Sequence, residues 1–237
     1  MSTNLNHQLK MLCDVVHEAS YFMQRDFGEV VQLQSSRKGP RDFTNKCYDR
    51  IKYKLTKSFA EKRPDYPVIT SNDKKPQDGD FFILIEPISG IDNFSHSIPF
   101  CAIAGFLFDR KLDEPIAAII HNPILRESFY GARGLGAWFE NYNETIVPKS
   151  RMRVSNQDDI NNAYIVADNY LNLGCDLLEI AYLAAARFDI LVKKDGNLIN
   201  EAALLLIKEA GGSIHSDGDN LLLSNGMLHD YAINKLL

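Results

Sequence analysis

Ile85-Glu86-Pro87-Ile88-Ser89-Gly90-Ile91-Asp92-Asn93-Phe94-Ser95-His96 begins at the end of an apolar run, residues 81–85, and finishes in a polar turn. A run this short and this apolar predicts a buried strand. It stops at an acidic residue, a proline, a small residue and a glycine. Acidic groups at the first and fourth positions of such a turn would point into one pocket and share divalent ions. Hard cations of the Mg²⁺ type take one or two carboxylates and complete their shell with water or phosphate oxygens. A pair of such ions can clamp an in-line phosphoryl displacement. Glu86 holds the first position here, and the uncharged Ser89 holds the fourth.

Downstream, residues 102–109, 116–121, 127–132 and 137–139 read as short strands separated by turn residues, an antiparallel meander. Gly131, Gly134 and Gly136 are turn glycines on this reading, with no helix start behind them to make a phosphate-cradling loop. Upstream, residues 68–70 suggest a short strand. Leu9, Leu12, Val16, Ala19 and Met23 fall at helical spacing and predict a helix over 5–27 that stops at Gly28. A second helix is expected over 48–62, ended by Arg63-Pro64. In the second half a helix is expected over 175–188, with Leu177, Ile180, Ala181, Ala184 and Phe188 on one side. Another is expected over 201–209, closed by Gly211-Gly212. The pattern is α+β with mixed sheets, a single domain of two lobes at about 1–150 and 151–237.

A chain of 237 residues, 45% of them hydrophobic, can bury a sizeable core. Lys and Arg number 26 against 31 Asp and Glu, a formal charge of -5. That balance lacks the basic footprint of a nucleic-acid binder. Cys13, Cys47, Cys101 and Cys175 are scattered and form no CxxC pair, which points to reduced thiols in a cytoplasmic protein rather than a disulfide framework or zinc site. Residues 1–8 are polar and lack a signal core, and no apolar run approaches the ~20 residues of a membrane helix. His96 and His121 lie beside apolar strands and read as turn or core histidines. No histidine is placed by sequence to activate Cys47 or Cys175, so both read as small buried residues.

The segment from Glu86 to Phe94 resembles the signature of the inositol monophosphatase family, Asp-Pro-hydrophobic-Asp-Gly-Thr-x-Asn-Phe. Further segments agree in order: Lys38-Gly39 with Asp42-Phe43-Thr44; His121-Asn122-Pro123 and the run from Glu127 to Ala137; Arg153-Val154-Ser155; Ala181-Tyr182-Leu183-Ala184-Ala185 with Arg187 and Asp189; and Glu209-Ala210-Gly211-Gly212. The resemblance runs from about Leu9 to the C-terminus and is similar to the bacterial extragenic-suppressor branch. It implies a layered αβαβα sandwich of the sugar and inositol phosphatase type, with mixed and antiparallel sheets. It also implies Mg²⁺-dependent hydrolysis of phosphate monoesters.

The departures from that pattern gather where the family does its chemistry. On the resemblance, Asn72 falls on a metal-binding Glu, with Asp73 beside it. Glu86 replaces the first signature Asp, Ser89 replaces the bridging Asp, and Ile88 keeps only its backbone carbonyl to offer. Ile91 stands for the Thr that orients the attacking water, and Cys47 falls at its acidic partner, with Asp49 near by. The second-signature Asp falls at Ile199 or Asn200, with Glu201 next. Among substrate contacts, Lys38 and Gly90 keep their kind, Lys193 replaces a Glu, and a Gly-Ser-Ala turn becomes Gly174-Cys175-Asp176.

A cluster of divalent cations needs negative ligands to persist. The expectation is therefore a family member with little or no phosphatase activity that works through its surface. Its partner would be a second copy of itself, as is typical of the family, or transcription machinery, as in the branch it resembles. The alternative is an active Mg²⁺-dependent phosphomonoesterase acting on an inositol phosphate or another small phosphorylated metabolite, with Glu86, Asp73 and Glu201 holding one ion. Mg²⁺ is the cofactor in the second case and there is none in the first.

Overall fold

In the computed structural model, residues 2–37, 39–142, 149–167, 171–194, 198–218 and 220–237 are described. Lys38 lies outside them. The elements run α1 (Ser2–Ser20), α2 (Met23–Leu33), α3 (Arg41–Lys62), β1 (Val68–Ile69), β2 (Phe81–Ser89), α4 (Ile91–Ser95), β3 (Ala102–Asp109), β4 (Glu114–Asn122), β5 (Glu127–Ala132), β6 (Gly136–Asn141) and β7 (Lys149–Arg151). They continue with β8 (Ile165–Ala167), α5 (Asp176–Ala184), β9 (Ile190–Lys194), α6 (Leu198–Ala210), β10 (Ser213–Ser216), β11 (Asn220–Ser224) and α7 (His229–Leu236).

Strands β1 to β7 form one sheet in sequence order, antiparallel except for the parallel β1–β2 pair. A second, four-stranded sheet has the order β10-β11-β9-β8, with β8 and β9 parallel. The period of two sorts the β2 side chains. Ile83 and Ile85 join Leu12, Val16, Ile51 and Leu55 in the core beneath α1 and α3, while Phe82 and Leu84 join Leu178, Ala181, Ala203 and Leu206 of α5 and α6 on the other face. Leu191 and Leu223 reach the same middle layer from the second sheet. Ile190 and Leu222 face the opposite way and pack with Leu228, at the start of α7, and Ala232 within it. The layers are thus helix, sheet, helix, sheet, helix, the α+β sandwich expected.

Several boundaries differ from the sequence reading: α3 starts at Arg41 rather than 48 and β2 runs on to Ser89 rather than stopping at 85, and others have a clear local reason. The N-terminal helix breaks at Tyr21-Phe22. There the Ser20 hydroxyl donates back to the His17 carbonyl at 2.9 Å, and the buried Asp26 carboxylate pairs with Arg50 of α3. Gly28 does not stop a helix but sits inside α2, whose buried face of Met23, Asp26 and Val30 is held by its neighbours. The helix predicted to reach 188 ends at Ala184. Ala186 adopts φ 61°, its N–H bonds the Leu183 carbonyl at 3.1 Å, and the Arg187 N–H bonds that of Tyr182 at 2.8 Å, a Schellman cap built without glycine. Gly131 and Gly136 are paired strand residues of β5 and β6 rather than turn residues, and glycine is required at 131 because a Cβ there would meet the Gly136 carbonyl at 2.9 Å.

Candidate functional site

The turn after β2 is shaped by Pro87 and Gly90. Between Glu86 and Ser89 the ladder to β3 slips by one residue, as expected where a proline has no N–H to give. Gly90 then adopts φ 73° and opens the short helix α4. A Cβ at Gly90 would lie 2.9 Å from both the Cys175 Cβ and the Phe100 carbonyl oxygen. Asn93 fastens the arrangement, its Nδ2 donating to the Phe100 carbonyl at 2.8 Å and the Leu173 carbonyl at 2.7 Å. Gly90, Asn93, Gly174 and Cys175 thus meet, and the Cys175 thiol donates to the Ser89 hydroxyl at 3.4 Å. Cys175 is buried, and that burial pushes its thiol up to about 12.

Glu86 is half-buried in the second half of β2, opposite Ala104. Its carboxylate accepts the Ile88 amide, yet burial pushes its pKa up to about 7. Tyr48 of α3 lies near it and has its phenol raised, first by burial and then by the charges of Glu86, Asp49 and Asp73. Asp73 is committed to its own turn. Its Oδ2 accepts the Thr70 N–H and hydroxyl, each at 2.8 Å, and these bonds hold its pKa below the ordinary carboxylate value. Asn72 in that turn is exposed, whereas Ile88 is buried. Cys47 and Ile91 both belong to the apolar cluster under α1 and α3. Cys47 is fully buried, its thiol pushed up to about 11 by desolvation, with Arg50 Nη2 at 3.4 Å.

On the far side of the turn stands a charged group that the sequence reading assigned only in part. Lys193 of β9 shares a face with Leu191 and is 2% exposed. Its Nζ lies 3.0 Å from Asp176 Oδ1 and 2.5 Å from Glu179 Oε2, both on α5. Glu179 is fully buried, and its Oε1 accepts the Leu173 N–H at 2.6 Å. Burial pushes the Glu179 pKa up, and the bond and charge of Lys193 oppose that. Asn200 of α6, also buried, donates to Asp176 Oδ2 at 3.1 Å. Glu179 is a residue the sequence reading missed. Its signal was a lone acid inside the otherwise apolar Leu177–Leu183 face.

Glu201 takes no part. Neighbouring positions on a helix point about 100° apart, and Glu201 is exposed in a separate cleft of 240 Å³ with Lys75, Arg133 and Lys208. The structure thus brings together Ser89, Gly90, Gly174, Cys175, Asp176, Lys193 and Asn200, with Glu86 earlier on the strand that carries Ser89. It leaves Glu201 apart and engages Asp73 elsewhere. Among the described residues, no three His, Cys, Asp or Glu side chains are grouped as a metal-holding set. His121 is buried, and His96 is an exposed turn residue bonded to Asp92.

A model of the inositol monophosphatase family matches residues 4–229. Among curated proteins, an inositol-1-monophosphatase of Rhizobium meliloti is 29% identical over 93% of this chain and 90% of its own length. The Nus factor SuhB of Escherichia coli is 22% identical over 94% of this chain and 91% of its own. The solved extragenic suppressor protein suhB of Bartonella henselae has a TM-score of 0.78 at 22% identity, over 94% of this chain and 95% of that one, a likeness of fold. No helix among the described residues is long and apolar enough to cross a membrane. With the family model matched along nearly its whole length, the chain belongs to the inositol monophosphatase family.

Proposed function

We propose that this chain is a family member that has given up ordinary phosphatase catalysis and acts in the cytoplasm through protein contacts, as a homodimer and as a partner of transcription machinery. The observation that carries the reading is the donor set around the β2 turn. Asn72, Ser89 and Asn200 are neutral, Ile91 offers no hydroxyl, and Asp73 is spent on Thr70. With Asp176 and Glu179 held by Lys193 and Glu201 in a separate cleft, Glu86 is the carboxylate left at the turn, and with its pKa near 7 it carries a full charge only part of the time. Such a set does not fit a pair of divalent ions, whose charge must be met by several negative oxygens. An ammonium already stands between Asp176 and Glu179. The relatives named Nus factor SuhB support the choice of partner.

The test is phosphate release with millimolar Mg²⁺ from inositol 1-phosphate, fructose 1,6-bisphosphate, 3′-phosphoadenosine 5′-phosphate and an aryl phosphate, beside a pull-down of the native protein. The expected result is no Mg²⁺-dependent turnover and recovery of RNA-polymerase-associated factors. Turnover that Glu86→Gln abolishes would overturn the reading. It would establish the second one, an Mg²⁺-dependent phosphomonoesterase. That reading is favoured by the survival of Glu86 in the second half of β2 and by relatives named inositol-1-monophosphatase.

A further inference from the structure

Lys193 sits at an inward-facing strand position, buried as a hydrophobic side chain would be. Along β9 the side chains alternate, with Ile190 and Val192 packed toward α7 and Leu191 and Lys193 directed into the middle layer between the sheets. An ammonium in that layer is tolerated only when matched by opposite charge and hydrogen bonds. The match here comes from two other elements. Asp176 and Glu179 lie three residues apart on α5 and so share a helix face. Asn200 reaches over from α6 to hold the second Asp176 oxygen. The Nζ thus ties β9 to α5, and through Asp176 to α6.

We propose that Lys193 is a tethered cation: its ammonium fills the place of a divalent ion among Asp176, Glu179 and Asn200, and its removal uncovers a divalent-cation site. The distances suit the exchange. Nζ lies 3.0 Å from one carboxylate and 2.5 Å from the other, and Ca²⁺ takes oxygen ligands at about 2.3–2.6 Å. An ion placed at the Nζ position therefore needs carboxylate shifts of only a few tenths of an ångström. Asn200 holds the other Asp176 oxygen and so fixes that carboxylate, and water completes the shell through the space the side chain vacates. With the side chain removed, two carboxylates face the vacated space, which favours a doubly charged ion over a singly charged one. This goes beyond the proposed loss of catalysis and holds whether or not the pocket turns over phosphate.

Thermal unfolding of the full chain in chelator-treated buffer, with and without about 5 mM CaCl₂, tests it without any activity measurement. Lys193→Met, which strips the fully buried Glu179 of its counter-charge and leaves the partly exposed Asp176 to Asn200, is expected to melt roughly 10 °C below the wild type. Lys193→Ala is expected to fall similarly without Ca²⁺ and to regain at least about half of the loss with it, while the wild type moves by no more than about 1 °C. The double variant Lys193→Met with Glu179→Gln should recover part of the loss with no ion present. A folded Lys193→Ala that Ca²⁺ leaves unmoved would sink the proposal, as would a Lys193→Met as stable as the wild type or a wild type strongly stabilised by Ca²⁺. If the alanine variant does not fold unaided, refolding from urea with Ca²⁺ against chelator decides, and equal failure in both counts against the tethered cation.

Discussion

Acidification should strip stability from this protein through one buried imidazole, and the amount can be worked out. His121 is 7% exposed. Its Nδ1 lies 3.0 Å from the Glu127 carbonyl and 2.8 Å from the Ser128 hydroxyl. That hydroxyl also meets His17 Nε2 at 2.9 Å, and the two rings pack edge to face with centroids 4.7 Å apart. Burial first, and the neighbouring His17 second, hold the His121 pKa at about 3, below its ordinary 6.5. The His17 pKa is lowered too, chiefly by desolvation. A histidine whose folded pKa is depressed binds its proton more readily in the unfolded chain. Its contribution is intact above 6.5 and is lost as pH falls from there toward 3. Each pH unit in that window costs about 1.4 kcal/mol, so a drop from about pH 7.5 to about pH 4.5 removes roughly 2.7 kcal/mol through His121 alone. The assay is urea denaturation at both pH values for the wild type and His121→Leu. The leucine variant starts lower at neutral pH, because it leaves the Glu127 carbonyl without its donor, but it should lose about 2–3 kcal/mol less on acidification. Parallel declines in the two proteins would refute the argument.

Two further outcomes follow from particular residues. Ala186→Gly relieves a left-handed alanine at an exposed helix cap. After the entropy that glycine adds to the unfolded chain, the gain should be about 0.5–1 kcal/mol, read as a rise of roughly 2–3 °C in melting temperature; no rise would show that the cap carries no strain. Glu86 has a folded pKa raised from 4.5 to about 7, so the folded state holds its proton longer and stability declines as pH climbs through that interval. Glu86→Gln removes the decline and should be more stable than the wild type at about pH 8 by up to about 3 kcal/mol, with a smaller difference at about pH 5. Equal urea midpoints at both pH values would contradict it.

Much of the first sheet was legible because its strands are bounded by turn residues and its order follows the sequence. Ala102–Asp109 and Glu127–Ala132 lie where the turn-bounded runs place them. The second sheet was not legible, because β8 and β10 are only three- and four-residue strands and the β8–β9 and β9–β11 pairings each reach across an intervening helix. Local pattern carries no information about such pairings. At the site, the glycines and Cys175 were findable from the signature and its companion turn. What escaped was the pairing of Lys193 with Glu179. Each charge alone reads as a surface residue, and only the strand's inward parity joined to the helix's buried face makes them partners. Glu201 failed for the converse reason: one position from Asn200, it faces the other way around the helix.

The central helices α5 and α6 lie between both sheets and are encoded after residue 175. Until they emerge, Phe82, Leu84, Phe106, Ile120 and Phe129 form a bare greasy wall on a meander whose other side is already clothed by α1 and α3. A ribosome partway through this message therefore carries a half-dressed sheet. The growing chain depends on prompt elongation, or on a chaperone, to keep that wall from meeting its like on a neighbouring nascent chain.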